Sequence, residues 1–410
     1  MQKQTQAIYT NFELDDPHGA LSMPVYHSAA FEFNSAADME AAFTGKMHKA
    51  SYSRVVNPTV TFLEDKVTEL TGAEATYAFN SGMAAIHNAL VTFAESGKNI
   101  VTSKHLFGNT FSLIGGTLRR FGVKAKFIDL TNIDKVREAV DDDTCCIFAE
   151  IITNPQMEVA DFRALAEVAH EHNIPLIADT TIIPFTQFSA KDLGIDIEVV
   201  SSTKYISGGA TSLGGLMINY GRFDFVDKRV RMELLYNLGA IMTPHAAYMQ
   251  TLGLETLEAR YKMQAANALA VAKALQTVEG IASVNYVGLE DNPYHELAKS
   301  QFGETAGAML TFDLASREDC WKLIDNVKVI HRATNLFDNR SLIIHPATTI
   351  FGNFPPAVRR SMQVNETTIR LSVGLEHPED IINDIIQAIK TPPNLPTRAE
   401  SINRNINPKN

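Results

Sequence analysis

The sequence predicts an α/β protein: a mostly parallel sheet sandwiched by helices, followed by a smaller α+β domain. Short apolar runs of strand length alternate with helix-forming segments from about residue 75 to 220, as expected of strands buried on both faces. Two of these runs lead into charged groups. Ile174-Pro-Leu-Ile-Ala-Asp179 ends in an acid, and Asp196-Ile-Glu-Val-Val-Ser201 is followed closely by Lys204. From about residue 262 the chain carries helix, strand and helix signals in turn. With 410 residues, 45% of them hydrophobic and 20% charged, it is long enough for two or three domains with their own cores. No GxGxxG occurs, so a dinucleotide fold has no motif support.

Residues 1–60 mix Gly, Pro and Asn with little sustained periodicity, as in an arm that packs on another subunit or in plain loop. Pro58 to Leu70 reads as a helix and Ala75 to Phe79 as a strand. Asn80-Ser81-Gly82-Met83 then opens a helix to about Ala94. Such a turn presents free N–H groups to an anion, although Ser-Gly before a helix is also a common cap. Asn99 to Ser103 is the next strand, leading into His105-Leu-Phe107-Gly108. Strands Ala125–Asp129 and Cys145–Glu150 flank a helix from Ile133 to Val140. Asn154-Pro155 is a turn pair, and Asp161 to His172 is a helix in which His170 and His172 read as surface residues. Beyond the glycine-rich stretch Gly208–Gly215, Gly253 opens a long alanine-rich helix that bridges the domains. Thr391 to Asn410 is Pro- and Asn-rich and reads as a loosely held tail.

Net charge is −11 with no long basic run, which argues against nucleic acid as a partner. Three cysteines, two of them adjacent in an apolar run, argue for a reducing compartment and against a disulfide framework. Met1 to Leu14 lacks the apolar core of a signal peptide, and no apolar stretch is long enough to span a bilayer. A cytoplasmic protein without membrane partners is expected, and no residues have metal-ligand spacing.

In open α/β sheets, ligands bind beyond the carboxyl ends of the strands. Asp179 and Lys204 leave neighbouring strands there and would face one site. A buried anion is costly unless it meets a cation or several donors, and a partly desolvated lysine becomes a nucleophile for carbonyls. Pyridoxal phosphate needs this set: a lysine for its aldehyde, an acid for its pyridinium nitrogen, and donors for its phosphate. A surface lysine beside a strand-capping aspartate is the alternative on these two residues alone.

The wider pattern is Asp179-x-Thr181, Ser201-x-Thr203-Lys204-Tyr and the Gly208-Gly209 pair. It resembles the PLP-dependent Cys/Met metabolism family from about Ala20 to Ile389. The resemblance implies a fold type I architecture: an N-terminal arm over 1–60, a PLP-binding large domain over 61–261, a C-terminal domain over 262–390 and a tail over 391–410. It also implies a homotetramer built from dimers that share active sites. Tyr52 and Arg54 would reach the neighbouring subunit's cofactor phosphate, a task suited to a guanidinium fork. Ser81, Gly82 and Met83 would form the phosphate cradle on their own chain, with Thr181, Ser201 and Thr203 nearby. Phe107 would stack on the cofactor ring; most of the family has tyrosine there, so the hydroxyl's proton-transfer role is lost. Asn154 would bond the cofactor's phenolic oxygen and approach the substrate carboxylate, which Arg370 in Arg-Leu-Ser372-Val-Gly374 would hold.

Gly208-Gly-Ala-Thr-Ser-Leu-Gly-Gly215 is similar to a Gly-His-Gly-Thr-Ser-Ile-Gly-Gly segment of O-acetylhomoserine sulfhydrylases, without its histidine. Asn335 resembles those enzymes too, and implies a substrate contact. The implied reaction is γ-replacement on O-acetyl-L-homoserine by sulfide or methanethiol, with Lys204 moving protons and Tyr52 a second proton carrier. Methionine or cystathionine γ-lyase and O-succinylhomoserine sulfhydrylase are the alternatives. His345, before Pro346, reads as a structural histidine near the domain interface.

Overall fold

The central sheet of the computed structural model, which describes residues 1–9 and 18–391, has seven strands among those residues. They are β1 (Ala75–Phe79), β2 (Asn99–Ser103), β3 (Lys124–Ile128), β4 (Thr144–Glu150), β5 (Leu176–Asp179), β6 (Ile197–Val200) and β7 (Gly215–Asn219). In space the order is β1-β7-β6-β5-β4-β2-β3. Only β7 runs against its neighbours β1 and β6, so the other six strands point one way. Observed limits differ from the expected ones by a residue or two. Ile174 and Pro175 fall outside β5, since proline has no N–H for the ladder, but the Pro175 carbonyl still accepts from the Ile147 N–H at 3.1 Å.

Side chains alternate between two core layers. Ile147, Ala149, Leu176 and Ala178 pack with the helices Pro58–Thr71, Phe162–Glu171 and Leu257–Leu275. Cys146, Phe148 and Ile177 face the other way, toward the helix Gly82–Phe93. By the same alternation Glu150 and Asp179, paired in register across β4 and β5, leave the sheet on that second face.

Two helices break with the sequence reading. Gly253 does not open the bridging helix; it lies within Pro244–Glu255, and the long helix begins at Leu257 after a break at Thr256. The glycine is there for close approach. A Cβ on it would run into the Ile206 carbonyl and come within 2.6 Å of the Gly208 nitrogen, in the turn just after Lys204. The first sixty residues hold short helices at Lys3–Ile8 and Ala36–Phe43, where no periodicity was strong enough to predict them.

The smaller sheet has β8 (Ser283–Asn285), β9 (Met309–Asp313), β10 (His331–Arg332), β11 (Leu342–Ile344) and β12 (Thr368–Ser372), ordered β10-β11-β12-β9-β8. The expected boundary at 261/262 falls inside the helix Leu257–Leu275. The tail expected over 391–410 lies outside the described residues apart from Thr391. Among the described residues no helix is long and apolar enough to cross a membrane.

Candidate active site

Because β1, β2, β4, β5 and β6 run the same way, the segments that leave their carboxyl ends gather along one edge of the sheet. These segments carry Ser81 to Met83, Phe107, Asn154, Thr181 and Ser201 to Lys204.

Asp179 closes β5 and is held by its own loop. Its Oδ1 accepts from the Thr181 N–H at 2.9 Å and from the Thr181 hydroxyl at 2.5 Å. The Ser201 N–H in turn donates to Thr181 Oγ1 at 2.9 Å, so the ends of β5 and β6 are joined through one threonine. Burial raises the pKa of Asp179 above the usual carboxylate value, while the Thr181 donors and the Lys204 cation oppose that rise. Lys204 shows the converse. Burial and then the Arg370 charge lower its pKa to about 8, with Asp179 pulling against them. An amine near neutrality beside a part-buried acid is a ready nucleophile. Its Nζ donates to Asn335 Oδ1 at 2.6 Å.

The helix Gly82–Phe93 is capped by Ser81, whose Oγ accepts from the Ala84 N–H at 3.1 Å. The N–H groups of Gly82 and Met83, in the first turn, have no intrahelical acceptor, and free donors of this kind suit an anion. A Cβ at Gly82 would stand 2.6 Å from Ser201 Cβ, so only glycine lets this helix end meet the β6 loop. Thr203 is braced on Gly214: its hydroxyl donates to the Gly214 carbonyl at 3.1 Å and accepts the Gly214 N–H at 3.0 Å.

Arg370 comes from the middle of β12 and crosses to the large sheet. One terminal nitrogen donates to Asn154 Oδ1 at 3.3 Å, the other to the carbonyls of Asn335 at 3.3 Å and Thr334 at 3.5 Å. It is 2% exposed, and its Nε has no hydrogen-bond partner. Burial pushes its pKa down to about 9, which leaves the guanidinium charged at neutral pH. A buried cation with an unused donor suits a carboxylate ligand.

Tyr52 and Arg54 stand apart from this cluster. Both are exposed, Arg54 donates to the Tyr236 carbonyl, and its guanidinium lies 5.5 Å from the Tyr52 ring. Among the described residues no hydrogen bond or ion pair joins either to Asp179, Lys204 or Arg370. His345 is buried with both ring nitrogens bonded, to Thr348 Oγ1 at 2.8 Å and to the Glu366 carbonyl at 2.9 Å, as suits a structural histidine. His170 bonds Asp196 at 3.0 Å and is part-exposed.

Sequence reasoning missed Glu150. It sits beside Asp179, is 7% exposed, and its Oε1 accepts the Phe107 N–H at 2.6 Å. The available signal was an acid ending an apolar run, the same signal that marked Asp179. The part-buried pair of His105 Nδ1 and Glu158 Oε2, 2.5 Å apart, lies at the base of the Phe107 loop and had no signal in the sequence.

The assembled groups fit an aromatic aldehyde with a phosphate and a protonated ring nitrogen. Lys204 offers the amine, Asp179 the counter-charge, the Gly82 and Met83 N–H groups a phosphate seat, and Arg370 a grip on a substrate carboxylate. A family profile described as Cys/Met metabolism PLP-dependent enzyme matches residues 4–390. The chain is similar to the O-acetyl-L-homoserine sulfhydrylase of Corynebacterium glutamicum, at 33% identity over 93% of this chain and 95% of that protein. It is similar to the L-methionine gamma-lyase of Fusobacterium nucleatum, at 36% identity over 94% of this chain and 97% of that protein. A Campylobacter jejuni crystal structure named as an O-acetylhomoserine (thiol)-lyase contains pyridoxyl-lysine-5'-monophosphate. It superposes with a TM-score of 0.92 at 32% identity, covering 95% of this chain and all of that one.

Proposed function

The chain belongs to the Cys/Met metabolism PLP-dependent enzyme family, and from that premise we propose that it catalyses γ-replacement on O-acetyl-L-homoserine by sulfide or methanethiol. Its cofactor is pyridoxal phosphate, and its broader chemistry is γ-replacement or γ-elimination in sulfur amino-acid metabolism. The observation that carries the finer reading is Phe107. A ring without a hydroxyl at the cofactor face has no proton to give the group leaving Cγ. A thiol leaving group needs that help; acetate, the anion of a much stronger acid, does not.

Arg370 takes the substrate carboxylate through its free Nε and its terminal nitrogens, and Asn154, bonded to Arg370, lines the same grip. Lys204 would hold the cofactor aldehyde, and as a free amine it would move protons at the substrate Cα and beyond. Asp179 keeps the proton on the ring nitrogen. When bound, pyridoxal phosphate supplies the electron sink that makes Cα and Cβ acidic. Asn335 restrains the free Lys204 amine between transfers, and Tyr52 of a neighbouring copy is a second proton carrier.

The active enzyme is a homotetramer built from two dimers, in which the 1–60 arm brings Tyr52 and Arg54 to the adjacent subunit's phosphate. Exposed apolar side chains support a covered face: Leu21 on the arm at 98% exposure, Phe43, Met232 and Leu238. The large domain spans 61–261 and the C-terminal domain 262–390.

Purified protein given an acylhomoserine and sulfide should form homocysteine, with O-acetylhomoserine the expected acyl form from the Gly208–Gly215 segment, and should form none from methionine or cystathionine alone. Fast 2-oxobutanoate release from methionine or cystathionine alone would overturn this reading in favour of a lyase.

A further inference from the structure

We propose that Glu150 is a positioning residue that ties the loop bearing Phe107 to the loop bearing Asn154, beside Asp179. The inference rests on the cofactor-site part of the proposed function and not on which acyl group leaves.

Glu150 ends β4 and Asp179 ends β5, in register on adjacent parallel strands. Both side chains leave the sheet on the face toward the helix Gly82–Phe93, so the two carboxyls emerge about 5 Å apart at the backbone. Asp179 has relief from two Thr181 donors and from Lys204. Among the described residues no such cation acts on Glu150. Its carboxyl meets the Phe107 N–H at 2.6 Å and also faces the N–H of Asn154. Burial and the Asp179 charge raise its pKa well above the usual carboxylate value. The two neighbouring acids thus differ in their partners: Asp179 has Lys204 as a counter-cation, and Glu150 serves as an acceptor for backbone N–H groups.

That acceptor joins two chain segments 43 residues apart in sequence. Phe107 is the residue just before the helix Gly108–Ser112, with no side-chain cap of its own, so the bond to Glu150 holds its backbone at the sheet edge. Asn154 follows β4 by four residues and contacts Arg370. One carboxyl therefore sets the ring that would lie on the cofactor and the amide that aligns the substrate grip.

The test compares E150A, E150D and E150Q as full-chain proteins, read by pyridoxal phosphate affinity in titration of the stripped enzyme and by the intensity of the bound cofactor's long-wavelength band. E150A leaves two buried N–H groups without an acceptor and should weaken cofactor affinity about tenfold or more. E150D, one methylene short, should show an intermediate loss, and it carries the test if E150A does not fold. E150Q keeps an acceptor oxygen and should recover most of the affinity and the band. Two results would overturn the proposal: a lower melting temperature with unchanged affinity and band in E150A or E150D, or an E150Q as impaired as E150A. K204A is the control for the site itself. If borohydride still fixes cofactor to K204A, the site assignment fails, whatever Glu150 does.

Discussion

Lys204 Nζ and Asn335 Oδ1 lie 2.6 Å apart, across the seam between the large sheet and the small one. Asn335 also lends its backbone carbonyl to Arg370. The amine that would carry the cofactor and the guanidinium that would hold the substrate thus share one asparagine. Arg370 is buried and Lys204 partly so, and the Arg370 charge is the second cause, after burial, of the lowered Lys204 pKa. Asn335 supplies the neutral acceptor that lets an uncovered ammonium sit there.

Replacing that acceptor should slow turnover without unfolding the protein. N335A leaves the Lys204 amine without its partner, a loss of about 1 kcal/mol or somewhat more for a bond to a charged donor. We expect kcat/KM to fall roughly tenfold with little change in melting temperature. Steady-state kinetics beside a thermal melt would check this, and a loss under twofold would remove Asn335 from the machinery.

The reactivity of Lys204 should follow pH in a defined direction. Its pKa lies at about 8, below the ordinary lysine value. Below that pH the amine is protonated and cannot attack an aldehyde; above it the free amine predominates. The rate at which stripped enzyme regains covalent cofactor should therefore rise through a midpoint near 8 and then level off. Removing the Arg370 charge takes away one of the influences holding the pKa down, so R370Q should move the midpoint upward. A downward shift in R370Q would contradict the proximity of the two cations.

Gly82 gives a steric test of the phosphate seat. A methyl there meets Ser201 Cβ at 2.6 Å, with the Ser201 hydroxyl at 2.7 Å, so the helix end or the β6 loop must shift. Overpacking of this kind costs about 1–3 kcal/mol. We expect G82A to lose cofactor affinity by about tenfold or more, whereas G116A, where a Cβ meets nothing within 4 Å and φ is not positive, should keep it. Equilibrium dialysis of pyridoxal phosphate separates the two.

Asp179 and Lys204 were legible because each closes or follows an apolar run of strand length, and a parallel sheet places such ends together. Glu150 ends the same kind of run, yet its partner is a backbone N–H in another loop and appears only once the strands are in register. The Arg370–Asn154 bond spans 216 positions and two sheets, beyond any local pattern. Gly253 misled for a physical reason. In sequence it resembled a helix start, but its lack of a side chain serves the turn after Lys204. The short helix Lys3–Ile8 has six residues, too few to show a helical period.

Shared active sites make a prediction that single variants cannot. Arg54 is exposed and turned toward Tyr236 in its own chain, and no described bond links it to the Lys204 cluster. If it serves the adjacent subunit, R54E and K204A should each be nearly inactive alone. A mixed dimer would hold one site with Lys204 from the R54E chain and Arg54 from the K204A chain, and a second site with neither. Random pairing makes half of the dimers mixed, so refolding the two variants together should restore about a quarter of the wild-type sites. Activity equal to the sum of the separate variants would mean that each site is built from one chain, and Arg54 would then have to act on its own subunit.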